Sequence, residues 1–266
     1  MMKKSFFAAA LALFLIFTTM ISGSAAKTGE YHWYFKKNDS HTQPPIPSEF
    51  SFIEDLDGIF IDHKHGDSEK ERVIYLTFDA GYENGNVEKV LDALHEAGVP
   101  GAFFVLSHFV SACPDLILRM EEEGHLICNH TAHHKNLSFA SRSEIESEIK
   151  GLEDAVREVS GHEVARFFRP PEGSFSRPML ETVHELGYHT VFWSFAYADW
   201  DNGKQPNPEK AIRRILDNTH NGEVILLHPT SATNAEILPT LIREWKKMGY
   251  TFGTLDELTG SPCNAG

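Results

Sequence analysis

The sequence is short of cysteine and of basic residues, and each shortage excludes a class of function. Its 266 residues include three cysteines, Cys113, Cys128 and Cys263, and an odd number cannot complete a disulfide framework. Lys and Arg number 24 against 38 Asp and Glu, which gives a formal net charge of -14 at pH 7. Because nucleic acids and anionic membranes both bind basic surfaces, we expect no nucleic-acid partner and no electrostatic membrane contact.

The sequence also lacks a glycine-rich loop for binding phosphate. No G-x-G-x-x-G motif occurs, and Gly81-Tyr82-Glu83-Asn84-Gly85 does not fit that pattern. What the chain does contain is 41% apolar residues, enough for one large domain, or at most two, with an ample core.

Residues 1–26 have the pattern of a secretory signal peptide. Lys3 and Lys4 give a positive start, residues 6–21 are almost wholly apolar, and Ser24-Ala25-Ala26 supplies the small residues of a cleavage site. We expect cleavage after Ala26 and export of the protein. The alternative is an uncleaved membrane anchor, although the apolar run is short for a helix that spans a bilayer.

Residues 27–70 are predicted to be a lead-in segment to the main domain. Pro44-Pro45-Ile46-Pro47 is a stiff, non-helical turn within this segment. We expect the segment to wrap the domain rather than to build a core of its own. Its aromatic side chains are expected to pack against the protein, with contact to a glycan as the alternative; they are Tyr31, Trp33, Tyr34 and Phe35.

From residue 73 onwards, strand patterns and helix patterns alternate about seven times. Strands are predicted at 73–78, 101–106, 125–129, 167–169, 189–194, 223–228 and 250–253, with helices at 86–97, 114–123, 141–159, 177–186, 208–219 and 234–248. This alternation predicts an α/β fold whose parallel sheet is covered by helices. Because no phosphate-binding loop accompanies it, a closed or nearly closed barrel is favoured over an open dinucleotide-binding sheet.

Three histidines fall within five residues after the strand predicted at 125–129. His130 and His134 stand four residues apart. If the segment turns helically, both imidazoles lie on one face and can bind one Zn²⁺-like ion. Asp79, at the end of the first predicted strand, is the candidate carboxylate to complete such a centre. The alternative is a histidine-rich polar loop at the surface.

Other polar residues fall at equivalent places in the repeated units. Each comes at or just after the end of a predicted strand: Asp79, His130 with His134, Arg169, Asp199 with Trp200, and His228. Barrels of this kind build their active sites from residues at the C-terminal ends of the strands. We therefore predict a single site to which five segments of the chain contribute.

In this order, the motifs around these residues resemble those of the polysaccharide deacetylases, which are carbohydrate esterase family four. The motifs are Thr77-Phe78-Asp79-Ala80-Gly81, His130-Thr131-Ala132-His133-His134, Arg169-Pro170-Pro171-Glu172-Gly173, Asp199-Trp200 and Leu226-Leu227-His228. The likeness covers about residues 72–258. It implies a distorted, incomplete (β/α) barrel of about seven strands, as a single catalytic domain at 71–260 followed by a tail at 261–266.

The resemblance also implies roles for four catalytic residues. Asp79 matches the general base that takes a proton from water, and Arg169 matches the residue that pairs with this base. His228 matches the general acid that protonates the leaving amine, and Asp199 would pair with His228.

Three further residues match positions that contact the substrate in the family. The backbone N–H of Glu172 would donate to the oxyanion of the tetrahedral intermediate. Trp200 and Leu226 would form walls of a small pocket for the acetyl group. For these two side chains, ordinary core packing is the alternative.

The sequence departs from the family at the metal site. His130 and His134 match two ligands of a divalent ion, expected to be Zn²⁺, but Ala80 replaces an Asp ligand. Losing a carboxylate removes charge and one bond, so we expect weaker metal binding. Asn84 or water are candidates for the vacant position.

Within the family, the likeness is closest to the N-acetylmuramic acid deacetylases that act on the way to muramic δ-lactam in bacterial spore cortex. The segments that carry it are 75–85, 190–194 before Asp199-Trp200, and 249–252. This implies an exported metal-dependent hydrolase that removes the N-acetyl group from muramic acid in peptidoglycan strands, after a separate amidase has removed the peptide. The alternatives are an N-acetylglucosamine deacetylase acting on peptidoglycan or chitin, and a glycan-binding relative without catalysis.

Overall fold

The computed structural model describes residues 29–37, 39–68 and 70–260. The predicted signal peptide at 1–26 and the predicted tail at 261–266 lie outside these residues. Within the described chain, no helix combines the length and the apolar character needed to cross a bilayer.

Strands and helices alternate through most of the described chain. The strands are β1 (Tyr31–His32), β2 (Arg72–Ala80), β3 (Ala102–Val105), β4 (Leu126–Asn129), β5 (Ala165–Phe168), β6 (Ser174–Phe175), β7 (His189–Thr190), β8 (Phe195–Ala196), β9 (Glu223–Leu227) and β10 (Tyr250–Phe252). The α-helices are α1 (Val87–Ala97), α2 (Ser107–Ala112), α3 (Pro114–Glu122), α4 (Arg142–Ser160), α5 (Arg177–Glu185), α6 (Pro208–Asn218), α7 (Ala232–Lys247) and α8 (Leu255–Thr259). Two 3₁₀ helices add Ser48–Leu56 and Pro171–Gly173.

Seven of the described strands form one parallel sheet that curls into an incomplete barrel. Their order is β7-β5-β4-β3-β2-β9-β8, and β10 pairs in parallel with the start of β2. The outermost strands, β7 and β8, are separated by only residues 191–194 in the chain, so the two ends of the sheet must lie close together. The predicted α/β fold with a distorted, incomplete barrel is confirmed.

The prediction of one continuous strand at 189–194 is wrong. The chain forms β7, leaves the sheet after Val191, whose backbone N–H still donates to the Phe168 carbonyl at 2.7 Å, and bonds β9 again from Ser194 into β8. Val191 instead bridges to Ile59, and the carbonyl of Trp193 accepts a hydrogen bond from the indole of Trp33 at 2.9 Å. Contacts with the lead-in segment therefore replace sheet pairing across the gap in the barrel.

The lead-in segment packs onto this side of the barrel. Trp33 is 7% exposed and stacks on Phe192 with ring centroids 4.6 Å apart. Phe50, from the 3₁₀ helix Ser48–Leu56, also stacks on Trp33, with ring centroids 5.5 Å apart. β1 also pairs antiparallel with β6. The aromatic side chain of Trp33 thus serves packing rather than glycan contact.

The two faces of β2 bury different sets of side chains. Ile74, Leu76 and Phe78 belong to the apolar cluster shared with helices α1 and α7, whereas Val73 and Tyr75 belong to the cluster inside the barrel. Because side chains alternate along a strand, Asp79 shares the inner face with Val73 and Tyr75. The strand therefore delivers a carboxylate to the interior of the barrel at its C-terminal end.

Candidate active site

Asp79 and Arg169 form a buried ion pair at the C-terminal end of the barrel. Arg169 Nη1 donates to Asp79 Oδ1 at 2.7 Å, and the Arg169 side chain is fully buried, while that of Asp79 is 11% exposed. Burial would raise the pKa of Asp79, but the charge of Arg169 holds it below its usual value. Asp79 is thus an ionised carboxylate at neutral pH.

Hydrogen bonds fix Arg169 in a single orientation. Its Nε donates to the Val191 carbonyl at 3.0 Å, and its Nη2 donates to Thr77 Oγ1 at 2.8 Å and the Phe192 carbonyl at 3.3 Å. The guanidinium carbon lies 4.1 Å from the centre of the Phe104 ring. A buried charge with this many partners can orient Asp79 without moving itself.

His130 follows β4 and is held as a neutral imidazole. Its Nδ1 donates to the Arg169 carbonyl at 2.9 Å, and burial lowers its pKa to about 4 although Asp79 opposes this shift. Nε2 therefore carries the lone pair, and it lies 3.5 Å from Asp79 Oδ2. Two electron-rich atoms at this distance suit a cation or a hydrogen-bond donor between them.

The helical turn that would place His130 and His134 on one face does not form. Residues 130–135 form an irregular loop in which Thr131 and His134 adopt φ of 74° and 56°. The loop still brings the two imidazoles together, with ring centroids 4.9 Å apart. Hydrogen bonds inside the loop replace the helix: Asn129 Oδ1 accepts from the backbone of Thr131, and Thr131 Oγ1 accepts from the backbone of His134, each at 2.9 Å.

The donors near His130 fit a divalent metal ion in part. A metal-binding histidine usually donates its second ring N–H to a carbonyl or carboxylate, as His130 does. Ala80 is fully buried in the apolar cluster that faces the helices and offers no ligand. Across the described residues, no three His, Cys, Asp or Glu side chains form a metal-binding group. The side chains that could hold a divalent metal ion are therefore His130 and His134.

Asn84 uses its side chain elsewhere. Its Nδ2 donates to the Thr230 carbonyl at 2.9 Å, and its Oδ1 accepts from Asn86 at 3.1 Å. These bonds tie the loop after β2 to the loop before α7, and they occupy the amide that was a candidate for the missing ligand.

His228 and Asp199 form a second pair next to Asp79. The β2–β9 register aligns Phe78 with Leu227, which brings the following residues, Asp79 and His228, to the same end of the barrel. His228 Nδ1 donates to Asp199 Oδ1 at 2.7 Å. Burial would lower the pKa of His228, but the hydrogen bond and the charge of Asp199 outweigh it and raise this pKa above its usual value.

The predicted substrate-contacting residues occupy different surroundings. Trp200 is 61% exposed, and its ring centre lies 6.1 Å from that of His228. Leu226 is buried in β9 and pairs with Thr77 across the sheet. Glu172 has an exposed side chain and φ of 60°. Of these three residues, only Trp200 therefore presents a large open surface beside the His228–Asp199 pair, and all three roles stay predictions.

Sequence reasoning missed several residues that contact this site. Thr77 bonds Arg169, Glu148 bonds the loop that carries His134, and Asn234 bonds both Asp199 and His228. The signal for Asn234 was hidden, because a polar residue in the first turn of a helix is expected to cap that helix. Glu148 was hidden among the charges of an amphipathic helix.

The sequence of this chain is similar to those of known proteins. A family model described as polysaccharide deacetylase matches residues 66–191. The chain is 40% identical over 228 residues to the peptidoglycan-N-acetylmuramic acid deacetylase PdaA of Bacillus subtilis strain 168, and the match covers 85% of each chain. It is 34% identical over 201 residues to a peptidoglycan-N-acetylglucosamine deacetylase of Bacillus cereus, covering 71% of this chain and 88% of that protein.

Solved structures of family 4 carbohydrate esterases have the same fold as this chain. The structure of Bacillus subtilis PdaA, described as a family 4 carbohydrate esterase, superposes with a TM-score of 0.83 at 39% identity, over 88% of this chain and 98% of that one. A family 4 carbohydrate esterase from Bacillus anthracis superposes with a TM-score of 0.72 at 32% identity, over 90% of this chain and 100% of that one.

Proposed function

The chain belongs to the polysaccharide deacetylase family and is a peptidoglycan deacetylase that hydrolyses N-acetyl amide bonds, and we propose that its substrate is N-acetylmuramic acid. One observation supports a working site: the Asp79–Arg169 ion pair and the His228–Asp199 pair lie together at the ends of the adjacent strands β2 and β9. The preference for muramic acid rests on the likeness to PdaA, which is higher in identity and covers more of this chain than the likeness to the glucosamine enzyme.

In the proposed reaction, Asp79 is the general base for the attacking water. Arg169 keeps this carboxylate ionised and fixes its Oδ1, which leaves Oδ2 to accept a proton. A carboxylate with a lowered pKa is a weak base, so the water itself must be activated. A divalent metal held by His130 and His134 would polarise the acetyl carbonyl and lower the pKa of its bound water.

His228 is the proposed general acid for the leaving amine. Asp199 holds Nδ1, so Nε2 is the nitrogen left to face the substrate. Its raised pKa favours the protonated imidazole, the form that proton donation to the amine requires. The backbone N–H of Glu172 is the proposed donor to the oxyanion, and Trp200 with Leu226 would bound the acetyl group.

The proposed biological setting is the cell wall or spore cortex of a spore-forming bacterium, which the protein would reach by export. Export agrees with the predicted signal peptide. Removal of the acetyl group would be a step towards muramic δ-lactam. That ring needs a free carboxyl on muramic acid. An amidase acting on the stem peptide is therefore the proposed functional partner.

The substrate proposal is tested by locating the lost acetyl group. Peptide-free peptidoglycan strands and chitooligosaccharides are each incubated with the protein after chelation, with and without added Zn²⁺. Mass spectrometry of the fragments then assigns the free amine. We expect loss of acetyl from muramic acid and none from chitooligosaccharides. Release from glucosamine in both substrates would instead support the N-acetylglucosamine alternative.

A second comparison addresses the glycan-binding alternative. Binding to the same strands is measured for the parent protein and for His228→Ala. We expect activity in the parent and its loss in the variant, with binding retained in both. Equal binding and no activity in either protein would support a module without catalysis.

A further inference from the structure

Asn234 lies fully inside the protein in the first turn of helix α7. Its side chain is 1% exposed. The backbone N–H of Asn234 donates to Ser231 Oγ at 3.2 Å, and the backbone N–H of Ser231 donates to the His228 carbonyl at 3.1 Å. The start of this helix is thereby fixed relative to the residue proposed as general acid.

The side-chain amide of Asn234 joins three groups. Its Nδ2 donates to Asp199 Oδ2 at 2.5 Å and to the His228 carbonyl at 3.1 Å. Its Oδ1 accepts a hydrogen bond from the hydroxyl of Tyr197. A carboxylate and a carbonyl can only accept, so the nitrogen of the amide must face them and its oxygen must face Tyr197.

These bonds restrict how the Asp199 carboxylate can turn. Oδ2 accepts from Asn234 and from the backbone of His228 at 2.9 Å, and this leaves Oδ1 directed at His228 Nδ1. Without Asn234, Oδ2 would keep a single donor, and the carboxylate could rotate away from the imidazole. Tyr197, which is also buried, in turn prevents the amide from flipping.

We propose that Asn234 is a positioning residue for the deacetylase reaction: it holds the Asp199 carboxylate in the orientation that sets the direction and the protonation of His228. Tyr197 supports it from behind. This role rests on the proposed function of His228 as general acid. It requires no contact between Asn234 and the substrate.

The charged groups around His228 decide what a variant would change. Asp199 and Asp79 favour the protonated imidazole, and Arg169 opposes it. Removing Asn234 leaves all three charges in the protein and removes only uncharged hydrogen-bonding groups, those that contact Asp199, the His228 carbonyl and Tyr197. A change in the pKa of His228 would therefore report alignment, not loss of a charge.

The test compares Asn234→Ala with Asn218→Ala. Asn218 is the matched control, because it is also buried and its Nδ2 also donates to a carbonyl, that of Arg214 in α6. We expect Asn234→Ala to lower kcat roughly 10- to 100-fold, as misplaced catalytic groups do, with little change in KM. The basic limb of the pH profile should move to lower pH. The control should keep the parent kcat and pH profile.

A measurement that needs no turnover separates this proposal from the proposed function. The pKa of His228 is followed by NMR titration in the parent, in Asn234→Ala and in Tyr197→Phe. We expect a lowered pKa in Asn234→Ala and a smaller decrease in Tyr197→Phe, whether or not a substrate has been found. Should Asn234→Ala not fold, Tyr197→Phe alone decides. An unchanged pKa of His228 in the folded variants would overturn the proposal.

Discussion

At the scale of single residues, the site depends on two acid–base groups whose environments move their pKa values in opposite directions. Arg169 lowers the pKa of Asp79 against the effect of burial, and Asp199 raises the pKa of His228 against the same effect. The result is a carboxylate that is ionised at neutral pH beside an imidazole whose protonated form is favoured. A base and an acid with these protonation states are what amide hydrolysis requires.

His228→Gln should therefore lower kcat by about 10²- to 10⁴-fold, the usual contribution of a general acid or base. The parent should lose activity on the basic side as His228 deprotonates, at a pH above the usual histidine pKa because Asp199 raises it. The variant should show no such basic limb. The measurement is kcat against pH. His184→Gln, at a half-buried histidine on α5, is the control and should match the parent.

The sequence predicts the site residues that stand in recognisable motifs, but not the residues that hold them in place by hydrogen bonds. Asp79, Arg169 and His228 each stand at a strand end, and strand ends can be predicted from the alternation of elements. Asn234 lies in a helix whose start was predicted two residues late, and its contacts cross to residues 197 and 199. Such contacts depend on how the elements pack, which local patterns do not determine.

At the scale of elements, helix α4 and the loop at 130–135 act as one unit. Glu148, which is 4% exposed, accepts from the backbone of His133 at 2.9 Å, from its imidazole at 3.0 Å and from Lys135 Nζ at 2.8 Å. These contacts hold the residues on either side of His134. The left-handed backbone of His134 has an energetic cost, and the helix stabilises it.

Glu148→Ala should weaken metal binding at His130 and His134 by about 10- to 100-fold, as loss of outer supporting groups commonly does. The physical reason is that the loop loses three hydrogen bonds and His134 samples other positions. Zn²⁺ affinity is measured by competition with a chelating dye, alongside the melting temperature. Glu158→Ala, an exposed residue on the same helix, should leave the affinity unchanged. Equal affinities in both variants would show that the loop holds its shape alone.

His130 and His134 meet without a helical turn for a physical reason. A spacing of four residues places two side chains on one face only if the backbone is helical, and nothing else in the sequence from 130 to 135 indicates a helix. Asn129 and Thr131 instead bond the local backbone, as short polar side chains do in turns. The two imidazoles meet by another route, so the pair was predicted but not its geometry.

At the scale of the whole molecule, the barrel is held together partly by contacts between residues before and after position 71, the predicted start of the catalytic domain. Asp62, from the lead-in segment, accepts from the Tyr75 hydroxyl at 2.5 Å inside the barrel. Trp33 fills the gap beside Phe192. The lead-in segment was expected to wrap the domain, and these contacts show that part of it also supplies core.

The molecule also contains a destabilising group away from the site. Glu223, the first residue of β9, is fully buried, and neither of its carboxylate oxygens has a hydrogen-bond partner within the described chain. Burial raises its pKa well above the usual value. A carboxyl group with a raised pKa favours the folded state below its unfolded pKa, about 4.3, and this contribution is lost as pH rises through the folded pKa.

Glu223→Gln should therefore raise stability at neutral pH and change it little near pH 4. Ionising a buried carboxyl that lacks a partner costs free energy, and an amide cannot ionise. The melting temperatures of both proteins are compared across this pH range. A constant difference at every pH would mean that ionisation of Glu223 does not contribute.

The role of Asp79 is tested by acetate release from peptide-free peptidoglycan strands by the parent and by Asp79→Asn, at equal protein concentration and equal Zn²⁺. We expect acetate from the parent, with the freed amine on muramic acid, and a rate roughly 10²- to 10⁴-fold lower for a variant that keeps the shape of the side chain but cannot accept the proton. Equal acetate release by the two folded proteins would contradict the central claim that Asp79 is the base of a deacetylase.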